Sequence, residues 1–257
     1  MMQSLIDLSW QDGDINTFLP ISLSLGCFVM YWFTTKSEIV KAFFYNKYEF
    51  DLASASHITF LRIVGFFTMG LLSSILCLIL MPDYSFADYG LTYNSETTLF
   101  TGFWTLVLIL LVIPLAYISA RKPKNLVNYP QIRARIWTRK IVFINASGWV
   151  LYLFGYEFLF RGVLLFPLVK HLGVWPAIAI NIALYAATHI PKGLEETIGA
   201  TILGFVLCLL TIASGTIWIA YFVHVALAWT NSFTALKYHP DMQFISSEIR
   251  VPKNSNH

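Results

Sequence analysis

Charge is what this sequence has least of. Only 12% of its 257 residues are Asp, Glu, Lys or Arg, where soluble domains carry about 25%. With 57% hydrophobic residues and a mean hydropathy of +0.64, a soluble chain of this length has too little interior for its apolar side chains and too little charge for its surface. A water-exposed globule is excluded. Cysteine is scarce too: Cys27, Cys77 and Cys208 stand alone inside apolar stretches, which excludes a disulfide framework or a metal knuckle and leaves them as small packing residues. The first 35 residues hold no Lys or Arg but carry Asp7, Asp12 and Asp14, so a cleaved signal peptide with its basic leading segment is not expected. Internal repeats, the period-two alternation of a membrane barrel and any long polar segment are missing as well.

What is there is a series of long apolar stretches, at about 16–35, 57–82, 98–119, 141–169, 172–190, 197–213 and 216–236. Each is long enough to approach or cross a hydrocarbon core of roughly 30 Å. In lipid the backbone must satisfy its own hydrogen bonds, so these segments are expected to be helices. The reading is an all-α polytopic membrane bundle of about seven to eight transmembrane helices, forming one domain over residues 1–257. The 141–169 stretch is too long for one straight span, and Gly148 and Gly155 are the expected places for a bend.

The few charges are unevenly placed. Lys36, Lys41 and Lys47 lie in the 36–56 loop, with Arg62 near enough to reach back to it. The 120–140 loop holds Arg121, Lys122, Lys124, Arg133, Arg135, Arg139 and Lys140, whereas the 83–97 loop has Asp83, Asp88 and Glu96 without a cation. The positive-inside rule then places the N-terminus outside and both basic loops in the cytoplasm. Topology and anionic lipid account for the net charge of +3, and no nucleic-acid partner is needed. The segment "RARIWTRK" is expected to lie on the inner surface as a short amphipathic helix.

Inside the spans the polar residues are few. Glu157 and Arg161 are four apart in "GYEFLFRG", on one helical face. In lipid such a pair faces the bundle interior, as helix-binding glue or as a functional site. His189 ends the fifth stretch, and Pro191 and Gly193 signal a turn before Glu196. His224 lies deep in the last stretch, with Asn231 seven residues on and on the same face. Imidazole and carboxylate are the usual water-activating groups. A Glu and two His can also hold zinc, though no HExxH or other paired-ligand spacing specifies it.

Three of these stretches resemble the motifs of the CPBP membrane proteases, the CAAX proteases and bacteriocin-processing enzymes also called Abi proteins. "YEFLFRG" resembles the EExxxR(G) motif, "YAATH" the FxxxH motif with Tyr185 for Phe, and "SGTIWIAYFVH" the approach to the third-motif histidine, His224. "HIPKGLEETIGA" places Glu196 at a matching acidic position, and the likeness covers about residues 140–236, leaving 1–120 as variable N-terminal spans. The resemblance implies an intramembrane glutamate-type endopeptidase of the bacterial inner membrane. In it Glu157 and His189 activate water, His224 stabilises the oxyanion, and Arg161, Glu196, Asn231 and Tyr156 support them, with no cofactor. Two positions depart from the pattern: Tyr156 stands where the family has its first Glu, and Ala228 where an Asn or Asp follows the third-motif His.

The expected partners are the lipid bilayer and a membrane-associated peptide or protein substrate. Two other classes remain open: a non-proteolytic scaffold or regulator that binds a partner membrane protein, and a transporter, which the lack of repeats disfavours. The catalytic reading requires Glu157, Arg161, His189 and His224 to converge on one water-accessible cavity. Simple counting sets Glu157 about 25 Å from the basic end, so either the long helix breaks or the turn after His189 sinks into the bundle.

Overall fold

The computed structural model describes residues 8–11 and 13–246. Asp7 and Asp12 of the acidic N-terminal stretch lie outside the described residues. Eight helices carry the fold: α1 Ile15–Thr35, α2 Glu38–Lys47, α3 Phe50–Leu80, α4 Thr98–Ala120, α5 Arg139–Leu172, α6 Val174–Ala187, α7 Leu194–Ser214 and α8 Trp218–Tyr238. Six of them are long and apolar enough to cross a membrane, and the all-α bundle is as the hydropathy pattern indicates. The remaining apolar stretch, the fifth at 172–190, forms the 14-residue α6. At 1.5 Å per residue it rises only about 21 Å, short of a full hydrocarbon core.

Helix α5 is the axis of the bundle. Within its most apolar 18-residue window 72% of the residues are buried, against 11% for α4 and 17% for α1. The outer helices turn Phe18, Phe33, Leu99, Leu110 and Leu115 outward, a surface that suits only lipid. The inner seam is formed by Trp149, Leu153, Phe158, Leu164 and Leu168 of α5 with Tyr185 of α6 and Ile217.

The sequence marked Gly148 and Gly155 as bends, but α5 is regular through both. Its irregularity comes later, as a π-helical stretch over Phe158–Leu165 that begins just after Glu157 and contains Arg161. A second π-helical stretch, Phe66–Leu72, lies within α3. Gly155 serves instead as a crossing point: a Cβ there would lie 3.0 Å from Phe66 Cα and 3.1 Å from Gly70 N. Glycine on both sides lets the two backbones touch, the close approach that dispersion-driven packing in lipid rewards.

The charged ends are sorted as the sequence suggests. Asp51, at the start of α3, accepts the backbone N–H groups of Arg135 and Ile136 at 2.8 and 3.1 Å, so both basic loops share one end. At the opposite end the acidic 83–97 segment meets the α7–α8 turn through Ile217 N–H to Gly90 O and Thr97 Oγ1 to Ser214 O.

Two local expectations are overturned. "RARIWTRK" is not an amphipathic helix: Ile136–Trp137 is a short strand paired in parallel with Gln243–Phe244, and Trp137 is fully buried. The exposed surface helix at the basic end is α2, capped by Ser37 and carrying Glu38 in its first turn and Lys47 in its last. Arg62 does not reach back to the loop either. It is 3% exposed, donates to Asn145 O and Oδ1 at 2.8 and 3.0 Å, and stacks on Trp149 at 4.3 Å. Asn145 passes the network on to Ser232 at 3.0 Å, joining α3, α5 and α8.

Candidate active site

Length differences bring the motif residues to one depth. Leu172 lies 15 residues beyond Glu157, a rise of about 22 Å, and the short α6 returns about 21 Å before it stops. His189 therefore comes back toward the depth of Glu157, and the turn just beyond it meets the basic loop at Lys124 and Tyr129. The chain then turns through Ile190–Lys192 and Gly193, whose φ of 104° only glycine adopts readily, and starts α7 with Glu195 and Glu196.

Glu157 and Arg161 are fully buried, with Arg161 Nε 3.6 Å from Glu157 Oε2, an ionic contact too long for a hydrogen bond. His224 of α8 comes closer: its Nδ1 lies 2.5 Å from Glu157 Oε1, although off the hydrogen-bond direction. Among the described residues neither carboxylate oxygen has a well-aligned donor. Arg161 is steadied by Nη1 donating to Asn181 Oδ1 at 2.8 Å and by its guanidinium lying 4.6 Å from the Tyr185 ring centre. Asn181 in turn donates to Phe160 O at 2.5 Å and accepts from Cys208 Sγ at 3.2 Å.

His189 is only half-buried. Its Nδ1 sits 3.1 Å from the Tyr185 carbonyl and 3.0 Å from Thr188 Oγ1. Thr188 Oγ1 donates to the same carbonyl at 2.7 Å. The carbonyl is thus the acceptor for the Nδ1 proton, and Nε2 is left as the basic nitrogen. The His189 ring packs 4.8 Å from Tyr185, whose hydroxyl is 2.9 Å from His224 Nε2. Glu157, Arg161, His189 and His224 thus belong to one cluster drawn from α5, the α6 terminus and α8, with Tyr185 at its centre.

The cluster is closed. The expected water-accessible cavity does not reach Glu157, because Glu157 and Arg161 have no exposed surface and His224 is 7% exposed. Tyr156 fills the place of the family's first Glu with a ring 4.8 Å from Phe160 and a hydroxyl 3.0 Å from Thr188 Oγ1. Glu196 lies at the rim, paired with Lys192 at 2.9 Å and accepting from Tyr129 at 3.2 Å. Next to it, exposed Glu195 pairs with Lys124. Asn231 is half-buried and makes no hydrogen bond or ion pair with Glu157, His189 or His224 among the described residues. Among the described residues no group of three His, Cys, Asp or Glu side chains is placed to hold a metal ion.

Asn181 and the Tyr185 hydroxyl are the site residues that motif reading passes over. Their signal was present: Asn181, Tyr185 and His189 stand at i, i+4 and i+8 in "NIALYAATH", one polar face on an otherwise apolar helix.

A polytopic membrane bundle with a buried carboxylate, guanidinium and two imidazoles is the class that fold and site define. Residues 132–230 match the family described as Type II CAAX prenyl endopeptidase Rce1-like. That stretch holds every motif residue from Tyr156 to His224, and the matched family agrees with the CPBP/CAAX proteases that the three motifs resemble. No curated protein and no solved structure matches the chain.

Proposed function

We propose that this integral membrane protein is an intramembrane endopeptidase that hydrolyses a membrane-associated peptide or protein at the Glu157–His189–His224 cluster. The observation that carries the reading is the convergence of these groups, from three separated parts of the chain, inside an apolar bundle where each isolated charge is costly. The match of residues 132–230 to a prenyl endopeptidase family supports it.

The division of labour follows from which atoms are free. His189 Nε2 takes a proton from water as the water oxygen attacks the scissile carbonyl, and returns it to the leaving amine as the C–N bond breaks. Glu157, fixed by Arg161, holds His224 in place, and His224 stabilises the negative charge that develops on the carbonyl oxygen. Tyr156 and Thr188 line the approach to His189. The basic end faces the cytoplasm, in keeping with the sorting of its loops.

The test compares membrane peptides from cells carrying wild-type protein, His189→Ala or Glu157→Gln, with each variant checked for membrane insertion. Peptides lost in both variants support hydrolysis at this cluster. Identical peptide sets overturn it and leave a fold kept for binding a partner membrane protein.

A further inference from the structure

Tyr185 is absent from the roles assigned above, yet it touches most of the groups that carry them. Its ring is 1% exposed, stacks under the Arg161 guanidinium and packs against His189, Tyr156 and Phe160. Gly204 of α7 makes room for it, since a Cβ there would lie 3.0 Å from Tyr185 Cδ1. The two imidazoles are tied to different atoms of this one residue. His189 Nδ1 faces its backbone carbonyl at 3.1 Å, and His224 Nε2 faces its hydroxyl at 2.9 Å.

We propose that Tyr185 is a positioning residue whose hydroxyl fixes the proton of His224 on Nδ1, facing Glu157, and so leaves His189 as the base. A phenol buried beside a carboxylate keeps its proton, because a phenolate would add a second negative charge to a dry site. The hydroxyl therefore donates, and His224 Nε2 accepts. The ring proton of His224 is left on Nδ1, 2.5 Å from Glu157 Oε1. With Nε2 accepting from Tyr185 and the Nδ1 proton held against the Glu157 carboxylate by charge, His224 is not a base at rest. His189 has its Nδ1 engaged by a carbonyl and keeps Nε2 open. A phenylalanine at position 185 retains the ring and the carbonyl and lacks only the hydroxyl, so Tyr185→Phe isolates the effect on His224.

The inference rests on the peptidase reading for its consequence in turnover, but the proton positions are measurable without any substrate. The full chain is labelled with ¹⁵N-histidine, purified into lipid nanodiscs, and its ring nitrogens are recorded by NMR, with His189→Gln and His224→Gln assigning the signals. In the wild type, His224 should be protonated on Nδ1 with a hydrogen-bonded, unprotonated Nε2. Tyr185→Phe should move the His224 Nε2 signal to that of a free imidazole nitrogen and leave His189 unchanged. Wild-type His224 protonated on Nε2, an unaltered His224 signal, or both histidines moving together overturns the proposal. In cells, the yield of peptides whose release requires His189 should fall about 3- to 10-fold in Tyr185→Phe, the range expected for one neutral hydrogen bond. A rise in yield also overturns it, because the hydroxyl would then be blocking His224. If no peptide depends on His189, the peptidase reading fails, and the spectra still decide the role of Tyr185.

Discussion

Removing the Arg161 charge tests whether this cluster is an interdependent unit. Two unit charges 3.6 Å apart, as in the Arg161–Glu157 contact, attract by about 5 kcal/mol at an effective dielectric constant of ~20. Most of that offsets the cost of burying both ions, so the net value of the pair is small. Breaking it is different. Arg161→Met keeps the volume but leaves Glu157 buried with only His224 beside it, and it takes the donor from Asn181 Oδ1. The expected loss is about 3–5 kcal/mol, or a fall in Tm of roughly 6–20 °C for a chain of this size. Glu157→Gln should cost less, because Arg161 retains Asn181 and the Tyr185 ring. Combining the two removes both buried charges and should recover at least about 2 kcal/mol relative to the sum of the single losses. Thermal unfolding of the purified protein in one detergent, followed by tryptophan fluorescence, measures all four corners of the cycle. Losses that add within about 0.5 kcal/mol would show that the two residues are not coupled, and the site described above would be wrong.

Further outcomes follow from neighbouring contacts. Asn181→Leu strands Arg161 Nη1 and the Phe160 carbonyl and should destabilise the protein by about 1–3 kcal/mol, measurable in the same unfolding assay. Gly155→Val should part the α3–α5 crossing, where even a Cβ meets backbone at 3.0 Å, at a cost of about 1–3 kcal/mol; Gly148→Ala, whose Cβ meets Arg62 Cδ at 2.9 Å and the Nη1 that donates to Asn145 at 3.0 Å, should also destabilise the protein. EDTA should leave peptide release unchanged, since no three ligating side chains meet among the described residues; inactivation by EDTA with recovery on adding zinc would make the histidines ligands.

Hydropathy made the bundle legible because lipid permits so few alternatives: an apolar run of the right length must be a helix. The Glu157–Arg161 spacing and the two histidines were legible for the same reason, since a lone polar group in such a run has to face inward. What was hidden depends on contacts distant in sequence. The π-helical stretch at Phe158–Leu165 leaves no mark in local propensity, and the glycines that suggested bends serve a crossing with Phe66 and Gly70 instead. "RARIWTRK" has the charge pattern of a surface helix, but its strand is fixed by pairing with Gln243–Phe244, over 100 residues away. Arg62 looked like an interfacial anchor because only the folded chain brings Asn145 and Trp149 around it. The apparent conflict in depth between Glu157 and His189 is settled by the 14-residue length of α6, which hydropathy had extended to a full span.

The central claim is that His189 activates water to hydrolyse a peptide bond within the membrane. It is tested most directly by incubating the purified protein with membranes in ¹⁸O-labelled water and reading the new peptide C-termini by mass spectrometry. Wild-type protein should place one ¹⁸O in the carboxylate of each new C-terminus, and His189→Ala should produce none of these termini. New termini that appear equally with His189→Ala, or none with the wild type, would contradict the account.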